Sequence, residues 1–173
     1  MDDKMFRAIN GLAGRCTPLD MLMILISNKI RFVFMIVLIF MWFRKCSQKV
    51  TTNAITSAIV TMIIHIVMKI MYFRPRPFIN RCVGILIPAK TNSSFPSKHT
   101  LLVFAISTSI FLRDRFLGMI MWGLSMLTGL SRIWVGHHYP SDIIGSALIG
   151  SITSIFVDYY SKLAEACKGA KSE

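Results

Sequence analysis

Residues 54–72 read AITSAIVTMIIHIVMKIMY. The run is apolar almost throughout and approaches the about 20 residues that a helix needs to cross the hydrocarbon core of a bilayer. Three more segments come near that length, with clear breaks between them. Residues 100–112 are shorter but extend back toward Ser97. Residues 116–130 follow a tight Arg113-Asp114-Arg115 link, and residues 142–160 form the last. Of the 173 residues, 54% are hydrophobic and only 16% charged, where a soluble domain carries about 25%. The pattern predicts an all-α, integral-membrane helical bundle of about five or six spans. The length predicts a single domain over residues 1–173, and no internal repeat or low-complexity segment divides it.

The N-terminal third reads less cleanly. Residues 30–43 span if Ser27 starts the helix and Arg44 and Lys45 reach back to the interface. Residues 19–26 are too short to span alone. Merging the two runs would place Lys29 and Arg31 in lipid, at about 2.5–3.5 kcal/mol each. A break at Ser27-Asn28-Lys29 is therefore expected, with residues 1–28 as an interfacial or re-entrant helical hairpin. Met5, Phe6, Ile9 and Leu12, with Lys4 and Arg7 between them, suit a helix lying in the interface. The first apolar run is short and follows an amphipathic stretch, which does not read as a secretory signal peptide.

The formal net charge is +12. Such a charge suits nucleic acid, but the basic residues fall between apolar runs and form no stripe. No nucleic-acid partner is expected; anionic lipid or an anionic substrate fits better. The four cysteines, Cys16, Cys46, Cys82 and Cys167, are too scattered for a zinc site or redox pair. All four are expected to be free, with a Cys16–Cys82 disulfide as the alternative.

Parity places the loops. Two crossings separate residues 73–99 from residues 131–141, so both loops lie on one face. Residues 44–53, the link at 113–115 and the C-terminal segment lie on the other. That second face holds Arg44, Lys45, Lys49, Arg113, Arg115, Lys162, Lys168 and Lys171. The positive-inside rule then favours it as cytoplasmic.

Three clusters share the first face. They are KIMYFRPRP from Lys69 to Pro77, Phe95-Pro96-Ser97-Lys98-His99, and SRIWVGHHYPSD from Ser131 to Asp142. Together they supply Lys69, Arg74, Arg76, Ser97, Lys98, His99, Arg132, His137, His138 and Asp142. Many cations and histidines with a single carboxylate complement phosphate. A metal site would want more carboxylates, or histidines at ligand spacing, so neither metal nor cofactor is expected. If a helix begins near Tyr139 or Pro140, Asp142 comes within reach of His138. A carboxylate on one imidazole nitrogen fixes the tautomer and leaves the other as nucleophile. Ser97 can cap a helix whose free N–H groups favour an anion. His99 is then placed to protonate a leaving oxygen.

These clusters resemble the type 2 phosphatidic-acid phosphatase superfamily. Its first motif is Lys, six residues, Arg-Pro, here Lys69 and Arg76-Pro77. Its second is Pro-Ser-Gly-His, here Pro96-Ser97-Lys98-His99. Its third is Ser-Arg, five residues, His, three residues, Asp, here Ser131-Arg132, His138 and Asp142. Order and spacing match over residues 69–142, the motif-bearing catalytic core. The resemblance implies that His138 attacks phosphorus to form a phosphohistidine, that Asp142 orients it, and that His99 is the acid and then helps activate water. It implies that Lys69, Arg76, Ser97 and Arg132 bind phosphoryl oxygens without a metal.

Phe73-Arg74-Pro75-Arg76-Pro77-Phe78 and the Ser131–Pro140 stretch look like the bacitracin-resistance type of undecaprenyl-pyrophosphate phosphatase. The implied reaction is hydrolysis of a polyprenyl pyrophosphate to the monophosphate, recycling the cell-wall carrier lipid in the plasma membrane. The site would face the extracytoplasmic side. Other lipids (phosphatidic acid, phosphatidylglycerol phosphate), transfer to a lipid acceptor, and a non-catalytic anion-transporter subunit stay open. Oligomeric state is open too.

Lys98 departs from the pattern, replacing glycine. If it is the first helical residue its φ is negative and lysine is tolerated, and its side chain is a candidate contact for a second phosphate. His137 reads as structural or solvent-facing. His65, one turn before Lys69, reads equally as a site residue or a hydrogen-bonded core histidine. Arg74 and Arg81 read as facing headgroups or water, with Arg74 also a site candidate. Trp134 and Tyr139 read as interfacial anchors.

Overall fold

A computed structural model of the chain describes residues 2–44, 47–80, 86–87 and 92–169. Expectations for Cys46, Cys82, Arg81, Lys45 and Lys171 fall outside these residues. Cys16 and Cys167 are exposed free cysteines. Among the described residues the chain forms α1 (Asp2–Asn10), α2 (Thr17–Phe43), α3 (Gln48–Met71), α4 (Pro77–Asn80), α5 (Lys98–Phe111), α6 (Arg115–Trp134) and α7 (Pro140–Gly169). The protein is an all-helical, multi-pass membrane bundle. Helices α2, α3, α6 and α7 are long and apolar enough to cross a membrane, and α5 is a shorter apolar helix among them.

Helix α5 is the axis of the bundle, packed by α3, α6 and α7. Ten of its residues, Thr100, Leu101 and Val103–Ile110, are buried. Membrane helices gain little from the hydrophobic effect and associate through close packing and interhelical hydrogen bonds. Both occur here. A Cβ on Gly150 of α7 would collide with the Leu101 carbonyl oxygen, so the glycine brings the two backbones together. Ser109 Oγ lies 3.2 Å from Ser57 Oγ of α3 and accepts from Ser154 Oγ of α7 at 2.9 Å. Ser125 of α6 donates to Ser107 at 3.1 Å. Such bonds contribute about 0.6 kcal/mol each.

Helix α5 is 14 residues long, a rise of about 21 Å. A hydrocarbon core is about 30 Å thick. Counted from the polar link at 113–115, its first turn therefore ends within the bilayer's depth.

The expected break in the N-terminal third is absent. Helix α2 runs unbroken through Ser27-Asn28-Lys29, because its polar residues have partners. Ser27 accepts from Arg132 Nη1 at 2.6 Å, and Arg31 Nη1 lies 3.4 Å from His99 Nε2. The re-entrant hairpin is thus replaced by an amphipathic α1 and a spanning α2. Helix α1 buries Phe6 against Ile133 and Tyr139, with the Phe6 and Tyr139 rings 5.6 Å apart. Asp20 of α2 accepts from Trp134 Nε1 at 2.8 Å. Trp134 and Tyr139 are consequently buried, not interfacial anchors.

Candidate active site

The ends of α3, α5, α6 and α7 meet around one polar cavity of about 150 Å³. It is lined by His65, Lys69, Arg76, Asn92, Ser93, Pro96, Lys98, His99, Arg132 and His138. Pockets for whole drug-sized ligands run to about 300–1,000 Å³, so this one suits a phosphoryl headgroup and not a lipid chain. Larger cavities exist, such as the about 390 Å³ one between Met35 and Ile55. That one is lined by Met35, Leu38, Ile39, Trp42, Phe43, Thr51 and Ile55, with no titratable side chain among them.

Of the residues expected at the site, Lys69, Arg76, Lys98, His99, Arg132 and His138 line the cavity together. Ser97 and Asp142 stand behind it. Ser97 holds the N-cap position of α5 without a side-chain cap. Its N–H donates to Ser146 Oγ at 2.7 Å, and its hydroxyl accepts from Thr100 at 3.1 Å.

Gly136 has φ +82°. This left-handed turn after α6 suits glycine, and it delivers His137 and His138 into the gap before α7. His138 is buried, and its Nδ1 lies 2.7 Å from the Ser94 carbonyl oxygen. A carbonyl only accepts, so Nδ1 carries the hydrogen and Nε2 keeps its lone pair. Burial, then the charges of Arg132 and Arg76, hold the His138 pKa well below the usual histidine value. The imidazole is neutral at pH 7.

The imidazole's partner is therefore a backbone carbonyl, where the spacing had suggested Asp142. Asp142 is buried and acts one step back. It accepts from Ser94 Oγ at 2.5 Å and from the Tyr139 N–H at 3.0 Å, and it pairs with Arg74. The carboxylate thus grips the chain just after His138 and the serine whose carbonyl holds the ring. Arg74 turns away from the cavity. It bridges Asp142 to Asp2 of α1 (2.7 Å) and to Ser141 (2.8 Å), and it lies over the Tyr139 ring at 4.6 Å.

The cavity's cations are braced. Arg76 donates to the Asn92 carbonyl and side-chain oxygens at 2.7–3.2 Å and to the His137 carbonyl at 3.3 Å. Arg132 Nη2 donates to His137 Nδ1 at 2.7 Å, and His137 Nε2–H donates to the Ile87 carbonyl at 2.9 Å. His137 is structural in this sense, though buried and not solvent-facing. Burial, then Arg132, lowers its pKa to about 4. Arg132 Nε and His65 Nδ1 are buried without a partner, and both residues face the cavity. An unpaired buried donor such as the Arg132 Nε–H costs about 1–3 kcal/mol, which an anion in the cavity would offset.

Asn92, Ser93, Ser94 and Arg31 were not singled out by the motifs. The polar triplet before Phe95-Pro96 was the available signal for three of them. Among the described residues, no group of three or more His, Cys, Asp or Glu is arranged to hold a metal ion.

The sequence profile of the PAP2 superfamily matches residues 50–164. The chain is 35% identical to the undecaprenyl-diphosphatase BcrC of Bacillus subtilis (strain 168), over 94% of this chain and 86% of that protein. It is 30% identical to the bacitracin transport permease protein BcrC of Bacillus licheniformis, over 88% of this chain and 76% of that protein. The crystal structure of Aquifex aeolicus LpxE superposes with a TM-score of 0.80 at 28% identity, covering 91% of this chain and 94% of that one.

Proposed function

This chain belongs to the PAP2 superfamily, and we propose that it hydrolyses undecaprenyl diphosphate to undecaprenyl phosphate and inorganic phosphate through a phosphohistidine on His138. It is a lipid phosphatase of the membrane; the diphosphate substrate and the covalent step are the proposal. The observation that carries it is the His138–Ser94 contact, which leaves Nε2 as a free nucleophile over a cavity lined by cations.

In the first step Nε2 bonds to the terminal phosphorus and the bond to the bridging oxygen breaks. His99 gives that oxygen a proton, and the lipid monophosphate leaves. In the second step His99 takes a proton from water, whose oxygen bonds to phosphorus as the P–N bond breaks. Phosphate departs and His138 is neutral again. Lys69, Arg76 and Arg132 hold the equatorial oxygens as charge redistributes, and Lys98 stands at the rim. Ser97 and Asp142 act by positioning. No step calls for a metal. Residues 1–173 act as a single unit, with the cavity facing the extracytoplasmic side, where the first and third clusters meet.

A second reading rests on the transport-permease name of the Bacillus licheniformis relative. There the cavity would bind an anion without hydrolysing it. Phosphate release from undecaprenyl diphosphate by detergent-purified protein, with excess chelator, separates the two. Release that vanishes in His138→Ala supports the hydrolase. No release from the wild type, or equal release from both, overturns it.

A further inference from the structure

Helix α2 lies outside the three motifs, yet one of its faces is built into the site. Ser27 and Arg31 are four residues apart and share that face. Ser27 accepts from Arg132 at 2.6 Å, which fixes the register of α2 against the cavity. One turn on, Arg31 Nη1 lies 3.4 Å from His99 Nε2. Arg31 is the fifteenth residue of a 27-residue span, where a charge is costly and marks function by default. Among the described residues no carboxylate neutralises it, in contrast to Arg74, which pairs with Asp2 and Asp142.

Once His99 carries the proton that it gives to the leaving oxygen, it and the guanidinium are both donors and the bond between them is lost. An anion between them satisfies both. The chemistry says which anion. When His138 attacks the terminal phosphorus of a diphosphate, the oxygen that His99 protonates belongs to the second, lipid-bearing phosphate. A monophosphate ester leaves as a neutral alcohol with no such group. We propose that Arg31 binds the lipid-bearing phosphate of a diphosphate substrate and so selects diphosphates over monophosphates. The inference rests on the diphosphatase reading above and adds a residue to it.

Calorimetric binding to the detergent-purified chain tests it without turnover, using methylenediphosphonate for two phosphoryl groups and inorganic phosphate for one. The wild type binds methylenediphosphonate more tightly. Arg31→Gln weakens that probe at least tenfold and leaves phosphate within about twofold, while Arg31→Lys keeps part of the preference. Equal losses on both probes, no change on either, or no preference in the wild type overturns the inference. Failure of the diphosphatase reading shows separately, as absent phosphate release from the lipid by the wild type.

Discussion

The Ser94 backbone carbonyl holds His138 Nδ1 at 2.7 Å, and the hydroxyl of the same serine holds the Asp142 carboxylate at 2.5 Å. The carboxylate reaches the nucleophile through a serine backbone. Asp142→Asn is therefore expected to lower kcat by about 100-fold or more with little change in KM. Ser94→Ala keeps the carbonyl but loses a hydrogen bond to a charged group, worth about 1.5–3 kcal/mol, so kcat falls about tenfold. Steady-state kinetics on the two variants decide the point. Were the carboxylate to orient the ring directly, Ser94→Ala would match the wild type.

Arg74 ties α1 to this arrangement. Burial works against the ionised Asp2 carboxyl, but hydrogen bonds from Ser141 and Arg74 hold its pKa below the usual value. Asp2 and Arg74 are each more than a quarter exposed, so Asp2→Asn should cost at most about 1 kcal/mol. Arg74→Ala leaves Asp142, fully buried, short of a charge partner and should cost several times more. Thermal unfolding in detergent gives the order. Equal losses would mean that the buried pair contributes no more than the exposed one.

The spans and the three clusters were legible because apolar runs and motif spacings are local. What was not legible depends on distant partners. Residues 27–29 read as a helix break, since the partners of Ser27 and of nearby Arg31 lie 105 and 68 positions away. Trp134 and Tyr139 read as interfacial because nothing in their own segment announces that α1 folds over them. Asp142 read as the partner of His138 from its spacing, but a backbone carbonyl such as that of Ser94 leaves no mark in a sequence.

His137 gives a pH dependence of stability. Burial, then Arg132, holds its pKa at about 4 in the folded protein, below the ordinary histidine value of 6.5. Between those values the unfolded chain binds a proton that the folded one does not, so stability rises with pH across that window. Tm should fall as pH drops from 7 to 4.5. His137→Gln removes the titrating group and should flatten the slope. His138, also lowered, contributes a slope of the same sign, so some dependence remains. A variant as acid-sensitive as the wild type would assign the slope elsewhere.

Gly136 should resist substitution for a backbone reason. Its φ of +82° costs a residue with a Cβ about 1–2 kcal/mol, and relief would move His137 and His138. Gly136→Ala should lower Tm and reduce kcat together. Gly123 has open space around a Cβ and an ordinary φ, so Gly123→Ala should preserve both. Comparable losses in the two variants would remove the turn as the cause.

At the opposite end of the bundle Asp158, buried on α7, collects three elements. It accepts from Asn53 of α3 at 3.3 Å, from Arg113 of the α5–α6 link at 3.1–3.2 Å, and from Lys162 at 2.8 Å. No residue of the polar cavity takes part, so this cluster bears on stability and not on chemistry. Asp158→Ala leaves Asn53 and two cations without their shared acceptor, and removing one partner of a buried pair costs about 3–5 kcal/mol. Arg113 is about a third exposed and Lys162 more than half, so water recovers part of that and a loss nearer 2 kcal/mol is expected. Tm should fall while kcat on the surviving folded protein stays within about twofold. A variant that kept its Tm but lost kcat would mean that the two ends of the bundle are coupled through α7.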